Sequence, residues 1–450
     1  MTRIPAAEWR RKGVHVGSGL FAFLLAVLSW RQAALAALAA LAFNVVLLPR
    51  VGGRVLLRDG EAGRTHSPGI VLYPGVVLVL ILLFRDRLEI AAAGWAFLAF
   101  GDGAATLLGM ALGGPRLPWH RGKSAAGLAA YVLVGGASAT LLYALVRGSV
   151  PTAGEVACVF GAALAGAAVE SLPCELNDNI LSPLAGAGTL AALLSALPGW
   201  PAFVAGGGAE RALVGPAINA AVASLAGALR VVRPSGAVAG FAFGSAVWAF
   251  GGPPAYALLW TFFLAGTLAT RFGRKRKEAM GKAEEAGGRR GAANVFANVS
   301  VAAFGVAMAA LTPGSAAAWR LAAAAALATA LMDTMGTEVG QAIRTPTVLL
   351  PDFRRVAPGT DGAVSVAGTA AGLAAAALLA VAAAGLSWIG SFAAVALVVG
   401  AAAAGTVVES LLGREGAPWR VSNGHVLNFL NTLAGALVAL LLAPLAGGAA

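Results

Sequence analysis

Apolar stretches close to the length of a bilayer crossing recur along this chain, and they leave one architecture open. A helical crossing takes about 20 residues. Stretches of that kind lie near 15–30, 33–49, 70–84, 88–112, 126–146, 153–173 and 180–197. A second set lies near 211–229, 236–251, 254–270, 294–311, 316–332, 363–384, 388–408 and 425–446. That is about fifteen spans, in a range of 13–17 because Gly and Pro interrupt several. Only 12% of the residues are charged and 59% are hydrophobic, with a mean hydropathy of +0.80. A soluble domain carries about a quarter charged residues, so this chain cannot build a water-facing surface. The expectation is an all-α polytopic membrane protein. A soluble enzyme, a nucleic-acid binder and a single-anchor receptor are excluded. A β-barrel is excluded too, because its strands read as short alternating segments. The 60 glycines suit close helix packing in lipid.

The net charge of +12 reads as topology, since Lys and Arg stay on the cytoplasmic side. With the N-terminus inside, 26 of the 32 basic residues fall in cytoplasmic segments and 6 on the other face. This threading puts the C-terminus outside and the segments around His15, Lys123, Asp178, Asp361 and His425 at the cytoplasmic face, where nucleotides are found. Arg10, Arg11 and Lys12 before the apolar run Leu20 to Leu28 imitate a signal peptide but read as a retained first span. Cys158 and Cys174, about 24 Å apart if on one helix, are too distant to bridge.

The chain also repeats itself. Asp102, Gly109, Ser124, Gly127, Val169-Glu170-Ser171-Leu172, Asn179 and Leu184-Ala185-Gly186 are followed later by Asp333, Gly340, Ser365, Gly368, Val408-Glu409-Ser410-Leu411, Asn428 and Leu433-Ala434-Gly435. Asp to Gly and Asn to the last Gly are seven residues in both blocks, and Ser to Gly is three in both. Each block spans four crossings, which gives two related helical bundles in parallel repeat. The Pro/Gly-rich stretch near Pro198 to Gly208 separates domains at 1–200 and 209–450.

An acid inside an apolar helix costs roughly 2.5–3.5 kcal/mol near the bilayer centre. Asp102, Glu170, Asp333, Glu338 and Glu409 are therefore either paired with Arg or Asn, or gathered to hold Mg²⁺. That ion is commonly shared between one or two carboxylates and substrate phosphates. Arg121, Lys123 and Ser124 follow the first acid, and Arg354, Arg355, Thr360 and Ser365 follow the second. Such groups neutralise a polyphosphate, as phosphoryl transfer requires. Gly122-Lys123-Ser124 is not a P-loop, since the motif needs glycine where Leu117 stands and no strand is expected before it. Gly359-Thr360-Asp361-Gly362 reads as a turn able to cradle phosphate. The basic loop 271–290 reads on its own as an anchor to anionic lipid, while Arg289, Arg290, Asn294 and Asn298 continue onto a helix with both asparagines on one face. His15, His66, His120 and His425 show no zinc spacing; His15, beside Arg11 and Lys12, either orients phosphate or is merely interfacial.

Arg11-Lys12-x2-His15, Gly101-Asp102-x6-Gly109, Lys123-Ser124-x2-Gly127 and Glu170-Ser171-x6-Asp178-Asn179-x3-Pro183 resemble the membrane-embedded lipid-alcohol kinases. That family includes phytol kinase, dolichol kinase and CTP-dependent diacylglycerol kinase, and is related to phosphatidate cytidylyltransferase. The likeness covers about residues 8–190, with Ala125-Ala126 where the family has a bulkier residue and Glu. Residues from about 209 to 446 resemble a different family, whose plant member is phytyl-phosphate kinase. The carriers are Arg289-Arg290-x3-Asn294-x3-Asn298, Asp333-Thr334-x3-Glu338-x-Gly340, Pro358-Gly359-Thr360-Asp361-Gly362-x2-Ser365-x2-Gly368 and His425-x2-Asn428-x2-Asn431. Asp361 stands where that family commonly has Asn.

These resemblances imply a fusion of two steps. A prenyl alcohol (phytol, geranylgeraniol or farnesol class) would be phosphorylated to its monophosphate and then its diphosphate, with CTP or another nucleoside triphosphate such as ATP, and Mg²⁺. Asp102, Glu170 and Asp178 would serve metal or base duty in the first half, with Lys123, Ser124 and Asn179 on phosphate and Arg11, Lys12 and His15 at the mouth. Asp333, Glu338 and Glu409 would take the acidic role in the second half. Lys277, Arg289, Arg290, Asn294, Asn298, Thr360, Asp361, Ser365, His425, Asn428 and Asn431 would lie near phosphates. The partners implied are prenyl alcohol, prenyl monophosphate, nucleotide and membrane lipid, and no nucleic acid. A lipid or prenyl-phosphate flippase and a cytidylyltransferase making a CDP-lipid are the competing readings.

Overall fold

The computed structural model of the chain describes residues 6–48, 50, 68–117, 120–171, 178–229, 231–271, 290–343, 345–417 and 420–446. It divides into two compact units, Met1–Leu197 and Pro198–Ala450. The first contains α1 (Ala6–Gly19), α2 (Trp30–Ala42), α3 (Pro68–Leu83), α4 (Leu88–Ala96), α5 (Asp102–Leu112), α6 (Ala125–Ala130), α7 (Gly136–Arg147), α8 (Ala153–Glu170) and α9 (Asp178–Ala196). The second contains α10 (Trp200–Phe203), α11 (Ala209–Ala228), α12 (Pro234–Arg271), α13 (Ala292–Leu311), α14 (Ala316–Ala342), α15 (Val366–Gly385), α16 (Phe392–Leu412) and α17 (Gly424–Leu442).

The fold is all-α and polytopic. Among the described residues, eleven helical runs are long and apolar enough to cross a membrane, and two further apolar helices, Lys12–Ala26 and Gly69–Leu83, are shorter. The difference from the fifteen expected stretches has a second source. The runs Asn179–Ala228 and Pro234–Arg271 each cover two stretches and are broken within. Gly207 turns the first at φ 77°, and Gly252 turns the second at φ 61° just before Pro253 and Pro254.

One helix in each unit is buried on every side, which only an all-apolar helix tolerates. In the second unit it is α14, where every residue from Leu321 to Met332 is buried. In the first it is α4, with Ile90 to Ala93 buried, running on through a π-helical turn, Phe97–Gly101, into α5. Both buried stretches end at an aspartate, Asp102 or Asp333. The cores are dominated by Ala, while large apolar residues point outward, as with Phe392 at 87% and Leu213 at 80% exposure. Small inside and large outside is what close packing in lipid favours.

The repeat is visible in backbone contacts. A Cβ on Gly186 would lie 3.5 Å from Ala162 O, and one on Gly435 would lie 3.4 Å from Ala401 O. A Cβ on Gly127 would meet Ala105 O at 2.8 Å, and one on Gly368 would meet Gly336 O. These pairs occupy matching places in the two sequence blocks.

Two small antiparallel sheets were not expected. β1 (Arg116–Leu117) pairs with β2 (His120–Ser124) in one; β3 (Thr347–Leu349) lies between β4 (Arg354–Arg355) and β5 (Ala363–Ser365) in the other. The expectation that no strand precedes Lys123-Ser124 is therefore corrected, since β2 runs through both residues. His-Arg-Gly-Lys-Ser has neither β-branched residues nor apolar alternation, so pairing and not propensity makes this strand.

Candidate functional site

Each sheet delivers a serine to a helix start. Ser124 ends β2 and caps α6, its Oγ accepting from Gly127 N at 3.2 Å. Ser365 ends β5 and caps α15, its Oγ accepting from Gly368 N at 3.2 Å. A glycine on the neighbouring helix makes room. A Cβ on Gly109 would come within 3.3 Å of Ser124 Oγ, and one on Gly340 within 2.7 Å of Ser365 Oγ. Helix starts of this kind present backbone N–H groups to anions.

In the first unit this turn lines a cavity of about 520 Å³ together with Thr106, Arg116, Lys123 and Glu170. Thr152 starts α8 with a capping box to Glu155, and α8 delivers Glu170 at its other end. Lys123 Nζ meets Glu170 Oε1 at 2.8 Å and also donates to the Glu170 carbonyl, where the helix C-terminus favours a cation. Asp102 is held separately: Lys12 Nζ lies 2.5 Å and His15 Nε2 3.2 Å from its Oδ2. His15 Nε2 also lies 2.8 Å from Leu98 O, and its ring meets Tyr73 edge-on at 4.8 Å. Lys123 acts electrostatically on Asp102 as well, so charges alternate through the site as Lys12, Asp102, Lys123, Glu170. Ser182 bonds Tyr131 at 2.6 Å and the Gly166 carbonyl at 3.1 Å behind it.

In the second unit a cavity of about 550 Å³ brings Asp333 and Glu409 together with Thr360, Asp361 and Ser365. The Asp333 and Glu409 carboxylates lie within hydrogen-bonding reach of each other, and two acids so close are an arrangement that a shared cation would stabilise. Asn431 Nδ2 donates to Glu409 Oε2 at 2.5 Å. Thr337, one turn along α14, donates to Asp333 Oδ1 at 3.4 Å. No lysine stands where Lys123 stands in the first block; Val364 does. The turn Gly359–Gly362 closes one side of the cavity. Gly362 has φ 76°, and a Cβ on it would lie 2.6 Å from Ser410 O, so both conformation and space demand glycine there. Asp361 pairs with Arg420 at 2.6 Å, which neutralises the acid that departs from the expected Asn.

Other sequence candidates fall outside these cavities. Glu338 is buried on α14 without lining the second. His425, exposed, and Asn428, half-buried, start α17, where Asn423 Oδ1 accepts from His425 N at 2.9 Å. Asn294 and Asn298 share one face of α13, Asn298 Nδ2 donating to Asn294 O at 2.9 Å, and with Arg290 they border a different cleft. Asn179 starts α9 near Gly69. Lys277 and Arg289 lie outside the described residues, as do the side chains of Arg11, Arg121 and Asp178. Sequence reasoning missed Thr337, Ser410 and Ser422 in the second cavity, and the bridging Arg414 and Arg420. The i+4 spacing from Asp333 is a signal that would have found Thr337.

Mg²⁺ requires hard oxygens, and the donors fit differently in the two units. The Asp333–Glu409 pair, with Asn431 Oδ1 buried and unpartnered, offers carboxylates already side by side, the set Mg²⁺ takes alongside substrate phosphates. Asp102 and Glu170 fit singly, each held by a lysine. Among the described residues no group of three or more His, Cys, Asp or Glu is placed to hold a metal ion.

The second cavity lies within residues 217–439, which match the family described as Integral membrane protein DUF92. An uncharacterized membrane protein of Synechocystis sp. is 36% identical over 215 residues, 47% of this chain and 82% of that protein. The chain belongs to the DUF92 integral membrane family. It is accordingly a multi-pass membrane protein. Protein VTE6, chloroplastic, of Arabidopsis thaliana is 33% identical over 216 residues, covering 46% of this chain and 64% of that protein. No solved structure matches the chain. The DUF92 match leaves out the whole first unit, with its Lys12–Asp102 and Lys123–Glu170 pairs.

Proposed function

We propose that this DUF92 protein is a bifunctional membrane kinase. Its first unit phosphorylates a prenyl alcohol and its second phosphorylates the resulting monophosphate, using CTP or another nucleoside triphosphate and Mg²⁺ at the cytoplasmic face. The observation that carries the reading is the recurrence of one arrangement: a serine-capped helix start, a facing glycine and a membrane-buried acid, in two cavities of about 520 and 550 Å³. The resemblance of the first half to lipid-alcohol kinases and of the second to the phytyl-phosphate kinase family supports the same assignment.

Phosphoryl transfer needs positioning and charge neutralisation more than covalent chemistry. In the second unit the backbone N–H groups after Ser365 receive phosphate oxygens, Thr360 and the Gly359–Gly362 turn cover them, and Asp333 or Glu409 takes the proton where the monophosphate attacks as its monoanion. In the first unit Lys123 and the N–H groups after Ser124 take that role. The lipid hydroxyl or phosphate oxygen attacks the terminal phosphorus, the bond to the leaving nucleoside diphosphate breaks, and the hydroxyl proton passes to a carboxylate. Asp333 and Glu409 together in the second unit, and Asp102 or Glu170 singly in the first, would hold Mg²⁺, which would supply charge neutralisation of the polyphosphate.

Purified protein in nanodiscs with Mg²⁺, labelled CTP and a panel of prenyl alcohols tests this. Monophosphate and then diphosphate are expected. Asp102→Asn is expected to abolish alcohol phosphorylation alone, and Asp333→Asn monophosphate phosphorylation alone. Loss of both activities in either folded variant would overturn the two-site assignment. Pyrophosphate release instead of CDP would indicate a cytidylyltransferase, and lipid movement without nucleotide consumption a flippase.

A further inference from the structure

The second unit has a cleft that the phosphate-site argument leaves unused. It runs between α11, α12 and α13 and is walled by Phe241, Phe243, Tyr256, Trp260, Phe262 and Phe263. Polar groups gather at its two ends. At one end stands Arg290, its guanidinium 5.7 Å over the Phe262 ring, with Asn294 and Asn298 following on α13. Asn298, roughly 9 Å along α13 from its start, is 3% exposed; its Nδ2 is taken by Asn294 O and its Oδ1 has no hydrogen-bond partner, a buried acceptor that a water would satisfy. Arg290 also acts electrostatically on Asp333, so this end lies within electrostatic reach of that acid. At the other end Tyr256 donates to Asn219 Oδ1 at 3.0 Å, and Asn219 Nδ2 donates to Gly215 O at 3.0 Å. That closed pair forms a floor against Gly244. From the start of α13 at Ala292 to Val299 the wall is roughly 10 Å long at 1.5 Å per residue. On one side Gly240 lines the cleft, is exposed, and has nothing within 4 Å of where a Cβ would stand. The cleft is therefore open to the lipid there.

An aromatic-walled slot with Arg290 at its mouth, within electrostatic reach of Asp333, is complementary to an amphiphile with a single apolar chain and an anionic head. We propose that this cleft holds the isoprenoid chain of the prenyl monophosphate, with Arg290 at its phosphate end and the Asn219–Tyr256 pair limiting how much chain is enclosed. The proposal rests on the second unit acting on a prenyl monophosphate. It makes Tyr256 and Asn219 specificity-determining residues and gives the chain a lateral way in past Gly240.

The test has a binding arm and a kinetic arm, both on the full chain in nanodiscs. A geranylgeranyl monophosphate analogue carrying a diazirine at the chain end is expected to label peptides containing Asn219 or Tyr256. Excess geranylgeranyl monophosphate should suppress the labelling and excess phosphatidylglycerol should not. Equal suppression by the phospholipid, or labelling elsewhere, would overturn the proposal and make the cleft a seat for bulk lipid. Gly240→Leu fills the open side without touching Arg290. It is expected to lower kcat/KM for the twenty-carbon relative to the ten-carbon monophosphate about ten-fold, about 1.4 kcal/mol, and an unchanged ratio would overturn the proposal. Specific labelling with no turnover of any monophosphate would sink the kinase reading while leaving the binding site standing.

Discussion

A methyl group on Gly368 would meet the Gly336 carbonyl and come within 2.9 Å of Ser365 Oγ, and neither backbone nor cap can retreat without opening the helix start. Gly368→Ala is therefore expected to destabilise the protein by about 1–3 kcal/mol, as overpacking does. Gly240→Ala, where nothing lies within 4 Å, should be neutral or stabilising by up to about 1 kcal/mol through helix propensity. Thermal unfolding of the two variants in one detergent compares them directly, and equal midpoints would contradict the packing argument. Asp361 is a different kind of position. Its side chain is 57% exposed in the pair with Arg420, and exposed pairs contribute about 0–1 kcal/mol. Asp361→Asn should leave stability nearly unchanged and free Arg420 to meet phosphate, so KM for the monophosphate should fall; an unchanged KM would mean that Arg420 does not face the substrate. At this scale the sequence was legible where a residue type is out of place. Asp102, Glu170, Asp333 and Glu409 stand out in Ala-rich helices because an unpaired acid there is costly. Their partners were not legible. Lys12 and Asp102 are 90 residues apart, and nothing local says that Lys12 reaches Asp102 while Lys123 reaches Glu170. Arg414 and Arg420 read only as topology charges until the fold placed them against Asp352 and Asp361.

Helices and short strands were legible to different degrees for a physical reason. A crossing helix satisfies its own backbone and must be apolar over its whole length, so α14 and α16 declare themselves. The sheets β1–β2 and β3–β5 lie outside the apolar runs except for β5 at the start of one, and are stabilised by pairing across loops, as with Thr347 opposite Ser365. Those sheets matter because one strand of each, β2 or β5, ends at a capping serine. Ser365→Ala should cost about 1 kcal/mol and loosen the first turn of α15, leaving α14 intact. Hydrogen–deuterium exchange is expected to show faster exchange confined to residues 366–369. Uniform acceleration across the second unit would mean that the cap supports the whole bundle. The breaks at Gly207 and Gly252 were partly legible, since each sits in a Gly- or Pro-rich stretch. The cleft between α11, α12 and α13 was not, because its walls read as ordinary apolar helix faces.

For the whole molecule, the charge bias predicts orientation. Exposed Ser149 and Gly314 follow spans that end on the non-cytoplasmic face in the sequence threading, whereas exposed Glu415 lies on the cytoplasmic side. With Cys158 and Cys174 replaced by serine, single cysteines at 149 and 314 should react with an impermeant maleimide added outside intact cells, and one at 415 only after permeabilisation. The reverse pattern would invert the threading and remove both cavities from the nucleotide compartment. The opening beside Gly240 bears on how such a protein would be saturated. A chain seated there arrives by diffusion in the plane of the membrane and never crosses water. The quantity that fills the cleft is then the mole fraction of prenyl phosphate among the lipids, not its molarity. Diluting the substrate with inert lipid at constant bulk concentration would slow the second step, while the nucleotide, arriving from water, would keep an ordinary three-dimensional KM.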